Sequence, residues 1–275
     1  MKRITFKVIF SVFATALLLS SCLGDGESTS KQENVFAYMS TGDTGQTIAS
    51  TPIGQMTSAS MSDFTVGRCY FVNYEINLSN NSNGIYTAEY IRPTNSNGQA
   101  ISESKFRTIP VPAATDDAIV AKGIGIPFFH GTDYYGDNWL FSYSFSVKPD
   151  DIVEAEFYYD STNQIDEDGT EIKNTEDKVI IDIRFKKTYS QAGEATTIPK
   201  TFTSVTKLSV LRGSFPRPNN PSPIVQGDYT LIPIKFRYWE PASKAGDPDK
   251  LRYVGTWELL TTTSNQVYYL MKENK

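Results

Sequence analysis

The stretch NWLFSYSFSV, Asn138 to Val147, decides the fold class. Trp139, Phe141, Tyr143, Phe145 and Val147 stand at every second position, with Ser142, Ser144 and Ser146 between them. A period of two puts all the large side chains on one face of a strand, so this run forms one wall of a core. The same rhythm recurs in Val153, Ala155, Phe157, Tyr159 and in Val179, Ile181, Ile183, Phe185, the latter interleaved with Asp182, Arg184 and Lys186. It returns in Ile232, Ile234, Phe236, Tyr238 and in Tyr253, Trp257, Leu259, with Gly255 between. Beyond the N-terminal apolar run, no stretch keeps the i, i+3, i+4 spacing of an amphipathic helix for more than about two turns. Thr, Tyr and Phe are abundant and Asn-Gly, Asp-Gly and Pro-rich turns separate the runs, so the class is all-β.

Two blocks follow from the spacing. Short strands are expected at Val35–Met39, Gln46–Ile53, Arg68–Leu78, Ile85–Ile91 and Lys105–Ile109, with the turn SNNSNG (79–84) joining a long central hairpin. Five short strands suit a small Greek-key barrel of the OB-like type over 34–120. The Pro-, Ala- and Gly-rich segment Pro110–Pro127 marks the boundary. Residues 121–275 carry six or seven alternating strands and suit an Ig-like β-sandwich. Pro233, inside the run Leu231–Trp239, places that strand at an edge or a bulge. RPNNPSP (217–223) and EPASKAGDPDK (240–250) read as long loops at the sandwich ends.

The N-terminus carries an address. Lys2, Arg3 and Lys7 precede an apolar segment, Val8 to Leu19, of about 12 residues, too short to span a bilayer and shaped as an export signal. Leu19-Ser20-Ser21-Cys22 then resembles a bacterial lipobox. By that resemblance residues 1–21 are a lipoprotein signal peptide and Cys22 becomes a lipidated N-terminus, carrying diacylglycerol and an amide-linked chain such as palmitate. Several acyl chains hold far more strongly than one myristoyl group, so the membrane is an expected partner through Cys22. Residues 22–33, polar and without periodicity, read as a tether. Asp25 and Glu27 form a partial version of a surface-export signal, which leaves both the periplasmic and the cell-surface side of the outer membrane open.

Loss of the signal removes Lys2, Arg3 and Lys7 and no acid, so the net charge of −5 becomes −8. Phosphate binding needs a basic surface, and nucleic acid is therefore excluded as a partner. With Cys22 lipidated, the second cysteine, Cys69, is expected to be unpaired and to serve as a small buried apolar residue.

Candidate chemistry is sparse. His130, the one histidine, has no nucleophile motif such as GxSxG beside it, and zinc normally takes several His or Cys ligands. Asp166, Asp168 and Gly169 imitate the middle of a calcium loop, but Gln164 and Thr175 fall where its end ligands should be, so NQIDEDGTEIKNTED (163–177) reads as a solvated hairpin loop. No catalytic residue, metal site or cofactor is expected. Trp239, out of phase with Phe236 and Tyr238, is the best candidate for an exposed ligand-binding ring, with Tyr134 and Tyr135 beside it as ring candidates. Asp160-Ser161-Thr162 matches a short O-glycosylation pattern at Ser161, and a plain turn fits the same residues.

The lipobox, the Gly-Asp that follows it, the segment VGRCYFVNYEINLSNNSNGIYTAEYI (66–91) and the late run of strands together resemble the NigD-like lipoproteins of Bacteroides and relatives. That resemblance implies an OB-like domain before a β-sandwich, lipidation, the cell envelope, and no catalytic residues to carry over. The function expected is a noncatalytic, lipid-anchored envelope protein with a binding or assembly role toward a protein or a glycan. A carbohydrate-binding lipoprotein of a glycan-uptake system would require an exposed aromatic platform, and a pilin-like adhesin component a releasable strand.

Overall fold

The computed structural model describes residues 28–172, 178–189, 196–214, 225–226, 229–241, 249–257 and 266–272. The expected signal peptide, Cys22, the loop RPNNPSP, the end of the acidic insert and Leu259 lie outside the described residues. The chain divides into two compact units between Ala100 and Ile101.

The first unit is a closed barrel of β1 (Thr29–Thr41), β2 (Thr47–Thr51), β3 (Gly54–Thr57), β4 (Cys69–Ser82) and β5 (Ile85–Pro93), in the order β1-β2-β3-β5-β4. β1 pairs with β4 through its first part and with β2 through its last, which closes the ring. A bulge between Gln32 and Val35 bends it there: Asn34 sits at a φ of 56° and its N–H donates to Asn73 Oδ1 at 2.8 Å. Alternation along β4 buries Tyr70, Val72, Tyr74 and Ile76 against Ala37, Met39, Met56 and Ile91. Cys69 is buried at the start of the same strand. Asn83 and Gly84, both at positive φ, make the tight turn between β4 and β5. β1 begins at Thr29, so the first strand occupies residues that composition alone gives to the tether (22–33).

The second unit comprises β6 (Glu103–Arg107), β7 (Ala118–Ile119), β8 (Gly123–Ile124), β9 (Asn138–Val147), β10 (Ile152–Tyr158), β11 (Val179–Tyr189), β12 (Ile198–Lys207), the short helix α1 (Ser209–Ser214), β13 (Val225–Gln226), β14 (Tyr229–Glu240), β15 (Lys250–Val254) and β16 (Tyr268–Lys272). One sheet runs β8-β9-β12-β6 and the other β6-β10-β11-β14-β15. β6 belongs to both, pairing in parallel with β12 through Glu103 and Ser104 and with β10 through Lys105 to Arg107. This pairing moves the boundary: β6 and the segment up to 120, expected in the barrel domain (34–120), are part of the sandwich. A five-residue strand has no long alternation to show which sheet it will join, and the sequence is blind to that choice.

The inner faces meet as the period-two reading requires. Phe141 packs on Phe157 and Phe236 at ring distances of 4.7 and 4.9 Å, and Tyr143 and Phe145 both meet Phe185 at 5.0 Å. Each such fully buried side chain contributes about 1.5–3 kcal/mol relative to exposure. Leu208 and Leu211, at and just before α1, close one end of this core.

Two expectations fail here. β14 is not an edge strand: β11 lies along one side, and β16 and then β15 lie along the other. Pro233 pairs with Tyr268 on β16, and the Ile234 N–H donates to Val267 on that same side; on the other side β11 begins to pair at Ile234, so the missing N–H falls just before that pairing starts. Tyr253 and Trp257 do not continue the core rhythm. Gly255, at a φ of 107°, turns the chain close against the Ile234 carbonyl, and both rings end on the outer face of the sheet.

Candidate functional site

The outer face of the β10-β11-β14-β15 sheet carries charge in alternate register. Asp182 and Arg237 are paired positions on β11 and β14, between buried Ile181 and Ile183 on one strand and Phe236 and Tyr238 on the other. Arg237 Nε donates to Asp182 Oδ1 at 2.8 Å and Nη2 to Oδ2 at 2.7 Å, a two-point pair on a carboxylate whose side chain is 1% exposed. The same guanidinium donates to the carbonyls of Ile165 and Asn163, each at 3.1 Å. One position earlier in the alternation, Lys235 Nζ reaches Asp166 at 2.8 Å and Glu167 at 3.3 Å, and lies 4.6 Å from the centre of the Trp257 ring.

These contacts turn the acidic insert into a third layer. The Trp257 indole N–H donates to Asp166 and the Tyr253 hydroxyl donates to the Ile165 carbonyl at 3.2 Å. Gln164, buried, donates to the Ile180 carbonyl at 3.0 Å and accepts from the Ile180 N–H at 2.7 Å, reproducing a strand partner with one side chain. The insert does form the expected hairpin turn, with Gly169 at a φ of 84° and Ile165 bridged to Glu171. Its tip, Glu167 to Glu171, is exposed as expected, and its base is clamped: the Asp166 carboxylate, which a calcium loop would need, is bound to Lys235 and Trp257. Burial works against the charged form of Asp166, but those bonds and the Glu167 N–H hold its pKa below the ordinary value. Among the described residues, no group of three His, Cys, Asp or Glu side chains is arranged to hold a metal ion.

Beside this clamp opens a cleft of about 730 Å³, bordered by Val111, Ile165, Arg184, Trp239, Leu251 and Arg252 among others. Trp239 is 40% exposed on its border, where the sequence places an exposed ring. Arg184 follows Asp182 by two positions as Trp239 follows Arg237, so both point to the outer face. Arg252 is engaged with Glu240 at 2.6 Å. At the position on β10 paired with Arg184, Glu156 accepts from the Tyr158 hydroxyl at 2.7 Å, Arg107 at 3.1 Å and Lys186 at 3.2 Å. Burial raises the Glu156 pKa, but these three donors outweigh it and bring it to about 2.

The structure does not bring Tyr134 and Tyr135 to this cleft. They sit in the 3-10 turn Asp133–Tyr135, where Tyr135 is only 3% exposed and packs on Tyr134 and Phe128, so its ring is not available as a ligand platform. His130 lies in the same loop, with Nδ1 2.8 Å from the Thr132 hydroxyl and its ring against Tyr134. Ser161 is exposed in a turn that Asp160 Oδ1 organises by accepting from the Thr162 N–H at 2.9 Å and from its hydroxyl. Arg184, Lys235 and Arg237 escape a search for site motifs. Their signal in the sequence is the placing of cations at the outward positions of two strands whose inward positions are apolar from Val179 to Phe185 and from Ile232 to Tyr238.

No family profile and no curated protein matches the sequence. Solved structures do. A protein from Parabacteroides merdae aligns over 81% of this chain and 96% of its own length, at 16% identity and a TM-score of 0.55. A candidate lipoprotein from Bacteroides fragilis aligns over 82% and 96% at 8% identity, with a TM-score of 0.49. A NigD-like immunity protein from Bacteroides caccae aligns over 80% and 91% at 12% identity, with a TM-score of 0.43. A likeness over 81% of the chain takes in residues of both units, and what it establishes is the fold: this chain is similar in all-β architecture to the Parabacteroides merdae protein.

Proposed function

We propose that this chain is a NigD-like, lipid-anchored protein of the bacterial outer membrane with a noncatalytic binding role, exercised at the cleft beside Trp239. The observation that carries the binding role is the cleft itself: an exposed tryptophan and an arginine share a concave face beside a buried ion pair. Anchoring is supported by Cys22 at the lipobox position and by the early start of the fold. Thr29 follows Cys22 by seven residues, which span at most about 25 Å even when fully extended. The barrel would therefore be held close to the membrane surface. Among the described residues, no helix is long and apolar enough to cross a membrane.

The glycan-uptake reading calls for a broad aromatic platform. In the cleft Trp239 is the exposed ring, with Tyr253 half-buried nearby, which suits a compact ligand better than a flat polysaccharide. N-terminal strand donation, as in a pilin, gains no support from β1, which is held between β2 and β4 in the closed barrel. Two measurements test the proposal. Cys22→Ala should abolish palmitate labelling and release the protein from membranes; retention of the unlabelled variant would overturn the anchor. Ligand-observed NMR of the mature protein against a small-molecule library should find binders that Trp239→Ala loses, and a library with no such binder would overturn the binding role.

A further inference from the structure

We infer that the cleft takes a carboxylate joined to an apolar body, with the carboxylate on Arg184 and the body against Trp239, Leu251, Ile165 and Val111. The inference rests on the binding role proposed above and names its ligand chemistry.

Among the described residues, Lys235, Arg237 and Arg252 each hold a carboxylate at 3.3 Å or less, and Arg184 does not. Asp182 gives both oxygens to Arg237, Lys235 takes Asp166 and Glu167, and Arg252 takes Glu240. Arg184 stands 3.7 Å from the already engaged Asp182, and one of its N–H groups reaches the carbonyl of Ile183 at 3.4 Å. A guanidinium offers five N–H donors in a planar fork, so among the described residues most of this fork is unspent. Its side chain is 30% exposed, open to a ligand yet partly removed from water. Burial lowers its pKa more than Asp182 raises it, and Arg237 lowers it further. A carboxylate arriving at this point would supply the two-oxygen partner that Arg237 already has.

The walls choose the rest of the ligand. Val111, Ile165, Leu251 and Trp239 are the apolar part of a lining that is otherwise polar and charged, and an apolar body would lie against that part. Among the described residues, β11 lies between β10 and β14, and β14 between β11 and β15, so the backbone of these two strands is already paired and their side chains face the ligand. A cleft of about 730 Å³ is in the range of small-molecule sites. Asp166, Glu167 and Asp182 line the cleft too; Asp166 and Glu167 share the single cation of Lys235, and Glu167 is the more exposed of the two, its side chain 64% exposed.

The test is calorimetric titration of the mature chain with 2-naphthoate, its neutral analogue 2-naphthamide, and glucuronate. The native protein should bind naphthoate at least about tenfold more tightly than naphthamide. Arg184→Gln should remove that preference while leaving the naphthamide affinity unchanged, and Arg184→Lys, which keeps charge without the fork, should fall between. Trp239→Ala should weaken both naphthyl compounds, and Glu167→Gln should tighten naphthoate alone. Equal, Trp239-dependent binding of naphthoate and naphthamide would overturn the inference while leaving the binding role intact. Tighter binding of glucuronate than of naphthoate would overturn the apolar body, and no binding of any of the three would overturn the inference outright. Unfolding curves of both Arg184 variants matching the native one keep a folding defect from being read as lost affinity.

Discussion

Removal of the Arg237 guanidinium, as in Arg237→Met, should be the most damaging single change on the outer face. It deletes two bonds to Asp182, at 2.8 and 2.7 Å, and two to the carbonyls of Ile165 and Asn163, at 3.1 Å. The Asp182 side chain is 1% exposed, so its carboxylate is left buried and charged. Breaking such a pair from one side costs about 3–5 kcal/mol. Arg184, 3.7 Å away, can swing in to recover part of this, which places the expected loss near about 3 kcal/mol. For a unit of this size, that lowers Tm by roughly 6–12 °C. Calorimetry at neutral pH measures it, and Asp182→Leu completes a double-variant cycle. The pair replaced on both sides should lose clearly less than the sum of the single changes, because no charge is left stranded. Limited proteolysis should also cut between 163 and 171 faster in Arg237→Met. A loss below about 1 kcal/mol, or strict additivity in the cycle, would refute the claim that this pair is the clamp.

Other outcomes follow from the same geometry. Glu156, with a folded pKa of about 2 against an ordinary 4.5, contributes stability that is fully present above the ordinary value and is lost as pH falls toward 2; acid titration of unfolding should show this limb, and Glu156→Gln should flatten it. Gly255→Ala should cost about 2–4 kcal/mol, since φ is 107° and a Cβ there would lie 2.4 Å from the Ile234 carbonyl oxygen, and thermal unfolding reads the loss. Gln164→Ala should cost about 2 kcal/mol because it leaves the Ile180 N–H and carbonyl without the side chain that pairs both, and hydrogen exchange should quicken at the Ile180 amide.

The sandwich core was legible where long strands alternate: Trp139 to Val147 and Val179 to Phe185 bury the residues their period assigns, whereas β12, without a period of two in its burial, left no such sign. The barrel was legible from the alternation in Tyr70 to Ile76 and from the Asn-Gly turn. The membership of β6 was not, since five residues pair with two sheets at once and only the folded context makes that choice. Trp239 could be picked out because it breaks phase with its neighbours. Lys235 and Arg237 looked like the ordinary polar side of a strand, and their burial depends on a loop more than sixty residues away in sequence folding back over them. Tyr253 and Trp257 misled for a related reason: their alternation belongs to the outer face, where Tyr253 pairs with Arg237, while Val254 packs against the core, and a period of two does not say which face is which.

The most direct test of the account as a whole is the mass of the N-terminal peptide released from protein extracted from outer membranes. The account predicts a peptide beginning at Cys22 and carrying diacylglyceryl and an amide-linked acyl chain. A peptide that begins elsewhere, or an unmodified Cys22 in membrane-bound protein, would contradict it.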